Sequence, residues 1–434
     1  MVYIYSPCLN INEKGHLSIS GCDTVDLAQQ YGTPLYVMSE DEIRRVCRSY
    51  VDSFQKFYQG NGHPIYASKA FCCKEMCRIV SSEGLDIEVV SGGELYTALK
   101  AGISGSRIHF QGNNKTPGEL ELALDNQVGD IVVDNLSELE KLGKIAAQKQ
   151  VMASVSLRVK PGIDAHTHEF IRTGQIDSKF GLDLASGEAF QAAKRALELP
   201  SVKLIGLHCH IGSQIMEKEP FVHAAEVMLG LHDQIKRELG LELDHLNLGG
   251  GFGIHYTEKD GFIPYHEYME AVSAKIHEKC RELNLKLPRI YIEPGRSIAG
   301  ESGITLYTVG NIREIPNVRN YVAIDGGMFE NPRYALYQSD YTCLIANKAS
   351  QPADYIATIA GKCCESGDLI QEHTPIQPPE EGDILAVLST GAYNYSMASN
   401  YNRNLRPPCV MVSHGESRVV IQGESYEDLL KNDR

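Results

Sequence analysis

The sequence predicts an α/β protein with a (β/α)8 barrel of the TIM type and a second, β-rich domain that also takes in the N-terminal strand. Two observations predict this fold. Between residues 63 and 295, eight short apolar runs alternate with helix-like stretches, and strands that alternate with helices form a parallel sheet. After residue 296, apolar runs follow one another without helices between them. We therefore place the barrel at residues 36–299 and the β-rich domain at residues 1–35 and 300–434.

The eight runs of the barrel each end in small or polar residues. They are PIYAS (64–68), LDIEVVS (85–91), RIHFQG (107–112), DIVVDN (130–135), VSLRVKP (155–161), LIGLHCH (204–210), HLNLGGG (245–251) and RIYIEPG (289–295). Eight such units in about 250 residues favour a closed barrel. A doubly wound sheet usually has fewer units and a G-x-G-x-x-G turn after its first strand, which this sequence lacks.

The runs of the β-rich domain follow in close succession. They are GITLYTVGNI (303–312), NYVAIDGG (320–327), YIATIAG (355–361), DILAVLS (383–389) and CVMVSHGESRVVIQG (409–423).

Composition limits the classes of partner. The formal net charge of −15 argues against nucleic acid or an anionic membrane as a general partner, so an anionic ligand needs a local site. The N-terminus has no signal-peptide pattern, and no apolar run reaches membrane-spanning length. These two observations predict a cytoplasmic location. The twelve cysteines form no paired C-x-x-C blocks, so we expect no metal site, and in a reducing compartment most of them would be small buried side chains.

Active-site groups of such barrels lie at the C-terminal ends of the strands. Lys69 follows the first run, where burial can lower the pKa of its amine and permit a Schiff base; the alternative is a solvated surface lysine. His208 and His210 lie on one face of the sixth run. They are either a metal pair, core histidines, or an imidazole stacked on a flat ring with Ser213 binding a phosphate.

The last two runs end in groups suited to an anion and a cation. Gly249, Gly250 and Gly251 can expose backbone N–H groups to a phosphate, or they form a tight turn. Glu293 can hold a protonated pyridine nitrogen, and Arg296 can bind a phosphate or a carboxylate. The alternative for this acid and this arginine is a structural ion pair.

The β-rich domain contributes two further motifs. Cys364, in CESGD (364–368), is flanked by acids that disfavour a nucleophilic thiolate. It is therefore either a proton donor or a buried thiol beside a turn. GAYNYSMASNYN (391–402) is rich in hydrogen-bonding groups, as expected for the wall of a polar pocket.

Together these motifs resemble the fold-type-III pyridoxal-phosphate-dependent decarboxylases, the family of diaminopimelate, ornithine and arginine decarboxylases. The resemblance covers nearly the whole chain. It is closest to the diaminopimelate branch, through HTHEFIRTGQIDSKFGL (166–182), NPRYALY (331–337), CESGD and GAYNYSMASNYN. It implies a carboxy-lyase that uses pyridoxal 5'-phosphate to convert meso-diaminopimelate into L-lysine and CO2, the last step of lysine biosynthesis.

The resemblance also implies roles for individual residues. Lys69 would hold the cofactor as a Schiff base, His210 would stack on its ring, and Glu293 would partner its pyridine nitrogen. The implied phosphate cradle consists of Ser213, Gly249, Gly250, Gly251, Gly295 and Arg296. Of the substrate-binding residues, Arg296, Arg333 and Tyr337 would hold carboxylates, Glu365 would read the distal ammonium, and Tyr393 would touch cofactor and substrate.

The resemblance further implies a homodimer with shared active sites, in which Cys364 donates a proton to the site of the other subunit. One departure from the family pattern is Tyr334, where relatives commonly have proline. The competing hypotheses are a decarboxylase of ornithine, arginine or carboxynorspermidine, an inactive binding protein, and an alanine-racemase-like enzyme. Arg333 argues against simple diamino acids, which have no second carboxylate. Lys69 and Cys364 argue against an inactive relative, and CESGD argues against a racemase.

Overall fold

The computed structural model describes residues 4–163 and 178–434. Within the segment 166–182, residues 166–177 lie outside this description. The chain divides into two compact units. The barrel unit comprises Val46–Gly253 and Phe262–Gly295, and the β unit comprises the chain up to Arg45, Ile254–Gly261 and Arg296–Arg434. The predicted domain boundaries stay a prediction.

The N-terminal elements begin with a small antiparallel sheet. In chain order they are β1 (Leu9–Ile11), β2 (Leu17–Ile19), β3 (Cys22–Asp23), α1 (Thr24–Tyr31), β4 (Leu35–Ser39) and α2 (Glu40–Tyr58). Asp23 starts α1 because its side chain accepts the N–H of Val25, which satisfies one of the donors left open at a helix start. All five residues of β4 are buried.

The barrel unit alternates strands and helices. Its elements are β5 (Gly62–Ala67), α3 (Lys74–Ser82), β6 (Asp86–Val89), α4 (Gly92–Lys100), β7 (Ile108–Phe110), α5 (Pro117–Asp125), β8 (Asp130–Val133), α6 (Leu136–Lys149), β9 (Ala153–Lys160), β10 (Leu182–Asp183), α7 (Glu188–Glu198), β11 (Val202–Cys209), α8 (Glu219–Leu239), β12 (His245–Asn247), α9 (Tyr265–Glu282) and β13 (Arg289–Ile292).

Eight of these strands close into a parallel barrel. The ring runs through β5, β6, β7, β8, β9, β11, β12 and β13, and β13 pairs back with β5. Each ring strand coincides with one of the eight predicted runs, so the predicted barrel is confirmed. Side chains that close several helix starts fix where the chain turns from strand to helix, as Ser91, Thr116 and Asn135 do for α4, α5 and α6.

The β unit continues after the barrel. Its elements are α10 (Arg296–Ala299), β14 (Gly303–Ile315), β15 (Arg319–Ile324), α11 (Arg333–Tyr337), β16 (Cys343–Ile345), β17 (Tyr355–Ala360), β18 (Leu369–Ile376), β19 (Ile384–Val387), β20 (Cys409–Ser413), β21 (Glu416–Ile421) and α12 (Tyr426–Leu430).

The N-terminal strand β4 lies inside the sheet of the β unit. It pairs antiparallel with β14 and parallel with β20, which confirms that the N-terminal strand joins the β-rich domain. Two buried apolar clusters lie in this unit, one around Leu35 and Leu306 and the other around Tyr307 and Val322. Across both units, no described helix is long and apolar enough to cross a membrane.

Candidate active site

Lys69 lies directly after β5, in a single 3-10 turn. Its Nζ is 3.3 Å from Oε1 of Glu88, which lies in β6 and is fully buried. Burial raises the pKa of Glu88 to about 7; the Lys69 ammonium lowers it, and the carboxylates of Glu293 and Glu94 raise it. The carboxyl of Glu88 therefore titrates near neutral pH, and it is placed to exchange a proton with the Lys69 amine.

Glu293 follows β13 and is buried. Its Oε1 accepts hydrogen bonds from the amides of Gln111 and Asn247, and its Oε2 accepts one from Nε2 of His208 at 3.1 Å. Burial alone would raise the pKa of this carboxyl, but His208 and Lys69 lower it to about 2. Glu293 is therefore a buried anion at neutral pH, as the partner of a protonated pyridine nitrogen must be.

His210 follows β11, and its Nδ1 accepts a hydrogen bond of 3.2 Å from the N–H of Gly250. Burial, and after it the charges of Lys69 and Arg158, hold the pKa of His210 well below its usual range. The ring is therefore neutral, as suits stacking on a flat conjugated ring. His208 contacts Glu293, whereas His210 contacts the N–H of Gly250. The described residues contain no cluster of three metal-ligating side chains.

The glycine run after β12 is shaped by close backbone contacts. A Cβ at Gly250 would collide with the carbonyl oxygen of Glu293, and a Cβ at Gly249 would collide with that of Cys209. Only glycine fits these positions. The loop after β11, which contains Ser213, is joined to this run because Ile215 donates its N–H to the carbonyl of Gly251 at 2.8 Å. The two loops together form a backbone cradle of the kind that binds phosphate.

Gly295 also permits a close approach. A Cβ there would lie 2.9 Å from Cβ of Ala67, the last residue of β5. The short distance keeps the end of β13 against the end of β5, next to Lys69 in sequence. The predicted cofactor residues Lys69, His210, Gly249, Gly250, Gly251, Glu293 and Gly295 thus all follow barrel strands at their C-terminal ends.

In the β unit, two arginines share the same tyrosine rings. Arg296 donates a hydrogen bond to the phenol of Tyr256, and its guanidinium carbon lies 4.7 Å from the ring centre of Tyr393. The guanidinium carbon of Arg333 lies 5.8 Å from that ring and 5.3 Å from the ring of Tyr337. Two cations on shared aromatic faces form a site suited to a carboxylate. Tyr393 has a φ of +62°, a strained conformation typical of functional positions.

Arg333 has no carboxylate partner among the described residues. Its Nη2 donates to Oγ of Ser339 at 3.2 Å, and its buried Nε has no hydrogen-bond partner within the described chain. A half-buried cation with a buried, unpaired N–H and no counter-ion is costly. An anionic ligand would satisfy it.

Tyr334, the departure from the family pattern, leaves this arrangement in place. Its hydroxyl donates to Oε2 of Glu372 on β18 at 2.5 Å, and Arg319 pairs with the same carboxylate at 2.6 Å. Arg333 and Tyr337 remain on one helical turn, α11.

Cys364 and Glu365 lie on an exposed loop between β17 and β18. The N–H of Cys364 donates to Oδ1 of Asn402 at 2.7 Å. The alternative of a buried thiol is wrong for Cys364, although its neighbour Cys363 is buried. Within the described residues of this unit, the structure does not bring Cys364 into contact with Arg333.

Comparisons with known proteins agree on one family. A protein-family model described as pyridoxal-dependent decarboxylase, pyridoxal binding domain, matches residues 40–300. Over 412 residues, the chain is 49% identical to diaminopimelate decarboxylase from Bacillus methanolicus, with 95% of each chain covered. The chain belongs to the diaminopimelate decarboxylase family. It is also 46% identical, over 422 residues, to the enzyme of that name from Bacillus subtilis, with 97% of this chain and 96% of the other covered.

Solved diaminopimelate decarboxylase structures share the whole fold. The enzyme from M. jannaschii in complex with L-lysine superposes with a TM-score of 0.91 at 33% identity, covering 99% of this chain and 98% of the other. The resemblance seen in the sequence is thereby confirmed, as are the predicted fold, the pyridoxal phosphate cofactor and the decarboxylase class.

The residues at the barrel end fit pyridoxal phosphate, the cofactor of diaminopimelate decarboxylases. Lys69 offers an amine for an aldehyde, and Glu293 offers a buried anion for a pyridinium nitrogen. The cradle around Gly250 offers N–H groups for a phosphate, and His210 offers a neutral ring.

Sequence reasoning missed several residues of this site. Glu88 and Arg158 are charged side chains inside the predicted strands LDIEVVS and VSLRVKP, and a charge in the middle of a predicted buried strand is the signal that would have found them. The guanidinium carbon of Arg158 lies 4.4 Å from the ring of Phe180, and its Nε lies 4.0 Å from Oδ1 of Asp134. Tyr256 gave no comparable signal.

Proposed function

We propose that this protein uses pyridoxal phosphate to decarboxylate meso-diaminopimelate, giving L-lysine and CO2. The choice of substrate rests on Arg333, a half-buried cation whose buried Nε has no hydrogen-bond partner and which has no carboxylate partner among the described residues. Ornithine and arginine have no second carboxylate to satisfy this cation, whereas diaminopimelate has one.

The barrel unit would hold the cofactor. When bound, pyridoxal phosphate supplies a conjugated ring that accepts the electron pair left on the α-carbon as carbon dioxide departs. The residues of this unit proposed to hold it are Lys69, His210, Ser213, Gly249, Gly250, Gly251, Glu293 and Gly295. The family resemblance adds Arg296 and Tyr393, which belong to the β unit. Glu293 remains ionised because three side-chain donors surround its carboxylate.

Glu88 would accept a proton from the Lys69 amine and donate it back. An amine is a nucleophile only when it is unprotonated, and Glu88 is the carboxylate at 3.3 Å that can remove or return the proton. Burial keeps the pKa of Glu88 near 7, so both of its protonation states are accessible at neutral pH.

The β unit would bind the substrate. Arg296, Arg333 and Tyr337 would hold its carboxylates, with the guanidinium groups oriented by the rings of Tyr256 and Tyr393. Glu365 would bind the distal ammonium, and its exposure leaves the carboxylate accessible to a ligand.

Cys364 would protonate the α-carbon after carbon dioxide has left. Its thiol is exposed, and the family resemblance assigns it to the active site of a second subunit. We therefore propose a two-fold homodimer with two equal, shared sites. All twelve cysteines are free thiols, which supports our placement of the enzyme in a reducing compartment such as the cytoplasm.

Product analysis tests this function. Purified protein loaded with pyridoxal phosphate is incubated separately with meso-diaminopimelate, ornithine, arginine and carboxynorspermidine, and amines and CO2 are quantified. We expect equal amounts of L-lysine and CO2 from meso-diaminopimelate and little turnover of the other three. Faster turnover of one of the other substrates would contradict our choice of substrate. The absence of any CO2 release would contradict the proposed decarboxylase activity.

A further inference from the structure

Asn247 connects the glycine run to Glu293. It is the last residue of β12 and is buried, 2% exposed. Its Nδ2 donates to Oε1 of Glu293 at 2.7 Å, and its Oδ1 accepts the N–H of Gly249 at 2.9 Å. The carboxylate needs a donor and the backbone N–H needs an acceptor, so the orientation of this amide is fixed by its two partners.

The backbone strengthens this connection. The N–H of Glu293 donates to the carbonyl of Gly249 at 2.9 Å, and Asn247 is in register with Tyr291 on the neighbouring strand β13. The glycine run and the carboxylate therefore have a fixed spacing, and one side chain bridges them.

Two other side chains contact Glu293 without bridging to the glycine run. Gln111 donates to Oε1, and His208 donates to Oε2 at 3.1 Å. Gln111 follows β7 and is buried. It is the natural comparison for Asn247, because both amides donate to the same oxygen but only Asn247 also accepts from the glycine run.

We infer that Asn247 is a positioning residue that couples phosphate binding by the glycine run to protonation of the cofactor nitrogen beside Glu293. This inference rests on the proposed function for its pyridoxal phosphate cofactor. Removing the Asn247 amide withdraws a donor from Glu293 and also leaves the N–H of Gly249 without its acceptor. Removing the Gln111 amide withdraws only a donor from Glu293.

The test compares Asn247→Leu, Gln111→Leu and Asn61→Leu in the holoenzyme. Asn61→Leu is the matched control. Asn61 lies just before β5 and its amide donates to the carbonyl of Pro288, just before β13, so this contact is at the opposite end of the barrel strands. The first readout is the 15N resonance of the ring nitrogen in enzyme loaded with 15N-labelled pyridoxal phosphate. The second is the dissociation constant of the cofactor, and the third is the separation of kcat from KM.

In both Asn247→Leu and Gln111→Leu, we expect the resonance to move toward the unprotonated position and kcat to fall about tenfold, with KM nearly unchanged. Only Asn247→Leu should also raise the dissociation constant of the cofactor, by about tenfold. Asn61→Leu should change none of these. If Asn247→Leu and Gln111→Leu weaken cofactor binding equally, the coupling is refuted, and if neither moves the resonance, the positioning role is refuted.

A second variant covers a failure of Asn247→Leu to fold. Asn247→Ala removes the same two hydrogen bonds with a smaller side chain, so it should move the resonance, lower kcat and raise the dissociation constant of the cofactor as Asn247→Leu does. Unchanged cofactor affinity in Asn247→Ala would contradict the inference. Resonance and affinity are measured without substrate, so they report on Asn247 even if the parent releases no lysine.

Discussion

Nζ of Lys69 and Oε1 of Glu88 lie 3.3 Å apart, with the amine partly exposed and the carboxylate fully buried. Because burial raises the pKa of Glu88 to about 7, this acid changes charge within the range where enzymes are assayed. We therefore expect kcat/KM of the enzyme to depend on pH near 7 through Glu88.

The substitution Glu88→Gln should remove this pH dependence of kcat/KM. In the parent, kcat/KM should rise as the pH increases through about 7, because only ionised Glu88 accepts a proton from the amine. In Glu88→Gln this rise should be absent and kcat/KM should fall by about tenfold or more. The profile is measured from pH 5.5 to 9, with the surface variant Glu75→Gln as control. A rise near pH 7 that persists in Glu88→Gln would assign it to another group.

Borohydride reduction should place the cofactor on Lys69. Lys69 directly follows the first barrel strand, and we expect peptide mapping of the reduced holoenzyme to find the pyridoxyl group on this residue. The neighbouring Lys74, at the start of α3, is the internal control and should carry none. Label on a lysine other than Lys69 refutes the assignment.

Arg333→Ala should weaken the use of diaminopimelate. The loss of a charge-assisted partner for the distal carboxylate costs about 1.5–3 kcal/mol, which is roughly 10- to 150-fold in kcat/KM. Arg333→Lys should restore only part of it, because an ammonium lacks the two-pronged geometry of a guanidinium. Steady-state kinetics measure this, with exposed Arg313→Ala as control. Unchanged kinetics in Arg333→Ala would rule out its role.

Lys69→Ala and Cys364→Ala should complement each other. Each variant should be nearly inactive alone. After reversible dissociation and mixing in equal amounts, about half of the dimers are mixed and each mixed dimer has one intact site, so roughly a quarter of parental activity should return. Subunit exchange is verified with differently tagged chains. Exchange without any recovered activity would mean that both residues act within one chain.

The stabilisation that His109 gives the barrel should be lost at alkaline pH. It is buried, with Nε2 3.5 Å from Asp86 and Nδ1 3.6 Å from Asp130. Burial lowers the pKa of His109, but the two aspartates more than offset this and raise it to about 9. The other charged or titratable groups around this cluster are His63, Arg107, His245, Arg289 and Tyr291.

The pH range of this stabilisation follows from the pKa of His109 in the unfolded and in the folded chain. A histidine has a pKa of about 6.5 in the unfolded chain, so the stabilisation is complete below about pH 6.5 and disappears as the pH rises through about 9. It amounts to about 3 kcal/mol. Denaturant unfolding at pH 6 and pH 9.5 measures it. The loss of unfolding free energy between these pH values should be about 3 kcal/mol larger in the parent than in His109→Gln, and equal losses would contradict the prediction.

The sequence predicted those functional side chains that directly follow a barrel strand. Lys69 and Glu293 follow apolar runs, and the alternation of runs and helices is enough to bring such ends together. Glu88 and Arg158 lie within strands, and their partners Lys69, Asp134 and Phe180 are distant in sequence. The Gln111–Glu293 contact joins residues 182 positions apart, and no local pattern reports such a contact. The roles of the individual site residues stay predictions.

The position of β4 between β14 and β20 has a consequence for biosynthesis. The first residues of β4 leave the ribosome early, but their sheet partners begin only at Gly303 and Cys409. At about 5–20 residues per second, the nascent chain carries this apolar strand unpaired for roughly 10 to 50 seconds. All eight strands of the barrel ring are synthesised in that interval. A slow ribosome or a late truncation would therefore expose an aggregation-prone strand at the start of the chain, far in sequence from the defect itself.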